Sequence, residues 1–124
     1  MLVLDHIAVL GETLAEASAH VEEVLGQPMN PGGVHGRFGT HNQVLGMEPG
    51  LYIEAISVDP SAPPPPDSRR FGLDLFSGPA RLDKWICRVD DLDAALAALP
   101  MAGRRRELQR GDLRWAMAVP EDGA

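Results

Sequence analysis

Two stretches of this chain share one pattern, and that pattern limits what the chain can fold into. "LDHIAVLGETLAEA" at residues 4–17 and "LDKWICRVDDLDAA" at residues 82–95 each run from a strand-like segment into a capped helix. A repeated unit that cannot bury its apolar face alone must stack against its copy. The segments after each helix extend the match. The order is β-α-loop-β-β, then β-α-β-β, so the chain reads as two units of curled sheet, each with one helix packed on it.

The local signals behind that order are specific. "LVLDHIAVL" is rich in aliphatic and β-branched residues and reads as a strand. Its alternation sets His6, Ala8 and Leu10 on one face and Asp5, Ile7 and Val9 on the other. Thr13 with Glu16 three residues later forms a capping box, and Gly26 is a natural helix stop. Leu14, Ala17, Val21, Val24 and Leu25 form the apolar stripe between them. Residues 27–39 are loop-like, with a short strand expected near Val34 to Phe38. His20 lies off the helix stripe, and His35 sits in the glycine-rich loop.

"GTHNQVLGMEPGLYIEAISV" at residues 39–58 reads as two strands around a Pro49-Gly50 turn. "DPSAPPPPDS" at residues 59–68 is an extended, semi-rigid connector. In the second unit, "KWICRV" is a strand and "DDLDAALAAL" a helix. Leu92, Ala95, Leu96 and Leu99 form that helix's apolar stripe. Residues 104–109 and 111–119 read as the last two strands.

Composition excludes several classes. The 124 residues suit one modest domain, and 44% hydrophobic content is ordinary for a globular chain. A net charge of −7 is opposite to the balance of a nucleic-acid binder. The basic cluster "GRRRELQR" reads as a solvated loop and strand edge. No apolar run is long enough for a membrane helix, and the first residues lack a signal-peptide pattern. The single cysteine, Cys87, fits a reducing cytoplasm.

The chain resembles the vicinal oxygen chelate superfamily, which includes glyoxalase I, extradiol dioxygenases, and fosfomycin and bleomycin resistance proteins. It is most similar to the glyoxalase-like domain group. The resemblance is carried by "LDHIAV", "GTHN", "LYIEAISVDP" and "WICRVDDLDAALAAL", in that order and spacing. It implies an α+β fold of paired βαβββ modules forming a cupped mixed sheet. Module one would occupy residues 1–58, the connector 59–68, and module two 82–124. Module two falls short by about one strand. Either the chain is truncated there or a partner supplies the missing edge, which points to a homodimer.

In metal-dependent members of the superfamily the ligands come from the first and last strands of each module. Carried over, these positions are His6 and Glu54, which would also be the catalytic pair. With Pro49-Gly50 as a simple two-residue turn, His41, Gln43, Leu45 and Met47 share a face with Tyr52, Glu54 and Ile56. His41 then becomes a third candidate ligand, and Gln43 joins Tyr52 and Trp85 as pocket residues. A set of two histidines and one carboxylate suits Zn²⁺, Ni²⁺, Fe²⁺ or Mn²⁺. The second unit departs from this pattern, because Trp85 stands where a histidine would.

Glu54 is the residue that most needs an explanation, since a carboxylate within "LYIEAISV" is costly if buried without partners. Two functional readings follow. One is a metal-dependent lyase, isomerase or dioxygenase acting on a small molecule. The other is a metal-free small-molecule binding protein of the bleomycin-resistance type, with Trp85 and Tyr52 as its stacking surface.

Overall fold

The computed structural model describes residues 1–120. The four residues that end the expected second module, 121–124, lie outside the described part. The architecture is α+β. Strands β1 (Val3–Leu10), β2 (Asn30–His35), β3 (Thr40–Glu48), β4 (Leu51–Val58) and β5 (Arg81–Arg88) form one mixed sheet in the order β2-β3-β4-β1-β5. Strands β6 (Arg104–Arg110) and β7 (Leu113–Val119) form a separate antiparallel hairpin. Helix α1 (Leu14–Leu25) covers one face of the large sheet, and α2 (Leu92–Ala98) packs beside the hairpin. Among the described residues no helix is long and apolar enough to cross a membrane.

The first unit follows its capping and strand signals, while Val24 and Leu25 of the expected α1 stripe lie exposed past the edge of the core. The Thr13 side chain accepts the Glu16 amide at 3.1 Å, and Gly26 closes α1 in the left-handed conformation with φ 67°. Leu14, Ala17 and Val21 pack against Val9, Ile53 and Ala55. β1 and β4 run parallel, as neighbours joined through α1 and a hairpin must, with His6 opposite Tyr52 and Ala8 opposite Glu54.

Strand β4 is buried on both faces. Ile53 and Ala55 belong to the core under α1, while Ile56 packs with Ala8, Leu10, Phe71 and Leu73 on the other side. A centrally placed strand of this kind has no wet face. Glu54, halfway along it, is therefore buried.

The segment after the proline-rich connector forms a short 3-10 turn over Arg70–Gly72, whose Phe71, with Leu73 after it, covers the second face of the sheet. Phe71 is held there at φ 63°, the one non-glycine residue with positive φ among the described residues. Such a conformation costs about 1–3 kcal/mol. The burial of its ring in the core beside Leu10 and Ile56 offsets that strain.

The second unit is looser. None of the α2 residues is buried, and its apolar stripe borders a cavity instead of a sheet. The reason is topological. β5 pairs with β1 and the hairpin pairs only with itself, so no described strand joins the two sheets beneath α2. Two tests separate core from surface. Leu10→Ala should cost about 2–5 kcal/mol in urea unfolding with an unchanged slope. Val24→Ala, on the exposed side of α1, should change stability by less than about 0.5 kcal/mol. Equal effects at the two positions would contradict the core described here.

Candidate functional site

The parallel pairing of β1 and β4 brings His6, Tyr52 and Glu54 to one face. His6 Nε2 lies 3.4 Å from Glu54 Oε1, and His6 Nδ1 lies 2.6 Å from Asp5 Oδ1. The imidazole stacks on the Tyr52 ring with centroids 4.5 Å apart and planes 8° from parallel. Asn42 Nδ2 donates to Glu54 Oε2 at 2.6 Å. Asp5 is tied in turn to Arg88 at 3.2 Å. The result is a chain of polar groups, Arg88–Asp5–His6–Glu54–Asn42, laid across four strands.

The electrostatics follow from that chain. Burial alone would push the His6 imidazole down, but its contacts with Glu54 and Asp5 prevail and raise its pKa above the ordinary histidine value. Burial alone would raise the Glu54 carboxyl, but its His6 and Asn42 partners prevail and lower it. Each shift favours the charged form of its group, so the contact favours an imidazolium held against a carboxylate. The Tyr52 hydroxyl is pushed up to about 12 by burial and then by the Glu54 charge, so it stays protonated as a donor.

These groups open into a cavity of about 860 Å³ between the large sheet, α2 and the β6–β7 hairpin. Phe38, Phe71, Trp115 and Met117 supply much of its apolar wall. Arg70 reaches it from the 3-10 turn, and Arg110 from the end of β6. The size suits a small organic molecule.

Three expectations from the sequence are corrected by the register. His41 and Gln43 do not share the Glu54 face. The β3–β4 ladder shifts by one residue at Met47, so Val44 lies opposite Glu54, Asn42 opposite Ile56, and His41 opposite Ser57. A one-residue bulge reverses the facing of every residue beyond it. His41 instead meets Ser57 at 3.0 Å, and Gln43 accepts from Ser18 of α1 at 2.6 Å. A second irregularity between Leu4 and His6 turns Asp5 toward the His6 ring, against simple alternation. Trp85 pairs with Ile7, opposite to His6, and is 74% exposed at the cavity rim.

His6 and Glu54 thus converge, and His41 does not join them. Among the described residues no group of three His, Cys, Asp or Glu side chains is placed to hold a metal ion. An open catalytic zinc site takes three protein ligands. The described residues supply two, short of that set, and no step below runs through a metal.

Asn42, Asp5, Arg70 and Trp115 are the site residues that sequence reasoning missed. Asn42 stands beside His41 in the quoted "GTHN", and only the bulge decides which of the two faces the cup. Arg70 lies in a segment with no clear periodicity.

The model of the glyoxalase-like domain matches residues 4–124. The chain belongs to the glyoxalase-like domain family. The crystal structure of methylmalonyl-CoA epimerase from Mycobacterium tuberculosis is similar in fold, with a TM-score of 0.59 at 20% identity, over 96% of this chain and 79% of that one. The fold is of the vicinal oxygen chelate type, and among the described residues the second unit holds three strands against four in the first. No curated protein matches the sequence.

His35 gives the cavity wall a pH dependence. It is buried against Thr40 Oγ1 at 2.9 Å, and burial, then the nearby Arg70 charge, lowers its pKa from 6.5. The folded state therefore resists protonating it. Its contribution is intact above the unfolded value and is lost as pH falls from about 6.5 toward the folded value. His6 shifts the opposite way, so the comparison must be between proteins at each pH. His35→Gln should lose less stability than the parent between pH 7 and pH 5 in thermal unfolding. Parallel pH curves for the two proteins would remove His35 from this account.

Proposed function

We propose that this glyoxalase-like protein is a small-molecule enzyme of the isomerase type, with Glu54 as the base that moves a proton on carbon. The carrying observation is the buried Glu54 carboxylate, kept ionised by His6 and Asn42 at the floor of the cavity. An ionised carboxylate on a dry wall has a use when a substrate C–H is brought against it. The proton passes to a Glu54 oxygen, and the electron pair moves onto the neighbouring carbonyl as an enolate oxygen. The Tyr52 hydroxyl, still protonated at neutral pH, is a donor for that oxygen. Return of the proton from Glu54 completes the transfer.

His6 is a positioning residue in this scheme. One ring nitrogen faces Asp5 and the other Glu54, so its charge orients and ionises the base. The epimerase name of the structural relative supports the same reaction class, while its low identity speaks only for the fold. The prediction is direct. In D₂O the protein should catalyse exchange of the acidic C–H of at least one member of a panel of acyl thioesters and 2-oxo compounds, followed by NMR. Glu54→Gln should slow it by about 10²–10⁴-fold. Exchange unaffected by Glu54→Gln would reject Glu54 as the base.

A second reading, a metal-free binding protein, is favoured by the two-donor count and by the aromatic cavity wall. It predicts ligand-dependent quenching of tryptophan fluorescence with no exchange. Trp115, half-buried in the wall, is the reporter for it, whereas exposed Trp85 is not. Metal content divides the readings further: stoichiometric divalent metal lost in both His6→Ala and Glu54→Ala would restore the metal-dependent mechanism.

Both readings go with a homodimer. β5 ends the large sheet and β7 ends the hairpin, each with one edge unpaired among the described residues. Such edges invite pairing with another chain. Light scattering behind a sizing column should give two chains per particle, and a monomer mass would reject the dimer.

A further inference from the structure

Arg70 is a half-buried cation without an anion among the described residues. Its neighbour Arg69 is fully engaged, donating to Asp74 at 2.6 Å and to the Gly39 carbonyl at 3.2 Å. Arg70 has no such partner among the described residues. Its Nε is buried with nothing to bond, and its Nη1 meets only the Met117 sulfur at 3.7 Å. A buried guanidinium normally sits against a carboxylate or phosphate. This one is placed at the cavity with its donors unspent.

Its guanidinium carbon lies over the Phe38 and Phe71 rings, 4.9 and 5.5 Å from their centroids, so aromatic contacts hold the head group beside the cavity without using its donors. Phe71 is the strained residue of the chain, so the backbone that presents Arg70 is held in an unfavourable conformation by core burial. Strain of this kind tends to collect at ligand-binding positions. The charge balance agrees. In a protein of net charge −7, five arginine or lysine side chains line this cavity against two carboxylates, Asp5 and Glu54.

We propose that the cavity takes a small molecule bearing a carboxylate, that this carboxylate pairs with the edge of Arg70, and that its reacting carbon then faces Glu54. The planar fork of guanidinium matches the two oxygens of a carboxylate. Guanidinium can also pair a phosphate, but inorganic phosphate has no carbon to lie along the aromatic wall or to face Glu54. The last part of the proposal rests on the role given to Glu54 above; the first two parts do not.

The probe is malonate, with its neutral dimethyl ester and inorganic phosphate as comparisons, measured by titration calorimetry and Trp115 quenching on the full chain. Malonate should bind saturably, tighter than phosphate, and the diester should not bind at tenfold higher concentration. Arg70→Gln should weaken malonate by at least tenfold, and Arg70→Lys, which keeps the charge but loses the fork, should also weaken it. Glu54→Gln should bind malonate as well as or better than the parent while losing proton exchange. If Arg70→Gln does not fold, the ester and phosphate comparisons on the parent still decide. The proposal is overturned if the diester or phosphate binds as tightly as malonate, or if a folded Arg70→Gln binds within threefold of the parent. Loss of exchange in Glu54→Gln with no malonate binding to the parent would leave the base in place and remove the anchor.

Discussion

The burial of one carboxylate organises this protein. Glu54 sits on a strand covered on both faces, where an unpaired charge would cost several kcal/mol. It is tolerated because β1 brings His6 and β3 brings Asn42 to its two oxygens. Those contacts require β1 to lie parallel beside β4 and β3 antiparallel on the other side. The same pairings place α1 on the opposite face and leave this face free for the 3-10 turn and the hairpin. The polar chain across the sheet and the two apolar cores thus share one arrangement of strands.

A consequence is the division of labour between the two halves. The first unit is complete as a βαβββ module and supplies the ionised pair. The second supplies walls: the aromatic and sulfur side chains of β7, the apolar stripe of α2 and the arginine at the end of β6. Because α2 has no described strand beneath it, its stripe faces a cavity where a complete module would have packed a sheet. The described part of the second module thus leaves the α2 stripe uncovered, and that surface suits the body of a ligand. The segment between the modules adds the remaining cation, Arg70.

Much of the fold was legible because its signals are local. The capping box at Thr13, the Gly26 stop and the period-2 and period-3.6 stripes each act within a few residues, and the internal repeat implied two modules. Less of the site was legible. Within β1 and within β4, alternation alone places His6 with Ala8 and Glu54 with Tyr52. Between β3 and β4, facing depends on the residue count around the turn, and the bulge at Met47 changes that count by one. His41 and Gln43 therefore gave way to Asn42. The shift near Asp5 likewise made a neighbour of His6 into its partner, where simple alternation would send the two side chains apart.

The sequence by itself determined which residues could be chemical: a histidine in the first strand and a glutamate inside an apolar one. It also determined the helices and strands that carry them, because backbone preference and hydrophobic period are properties of short segments. Only the tertiary structure decided that His6 and Glu54 meet, that His41 turns away, and that Arg69 finds Asp74 while Arg70 finds no carboxylate. The physical reason is that charge pairing depends on distances between segments far apart in the chain. Those distances are set by strand register and by where a strained loop comes to rest.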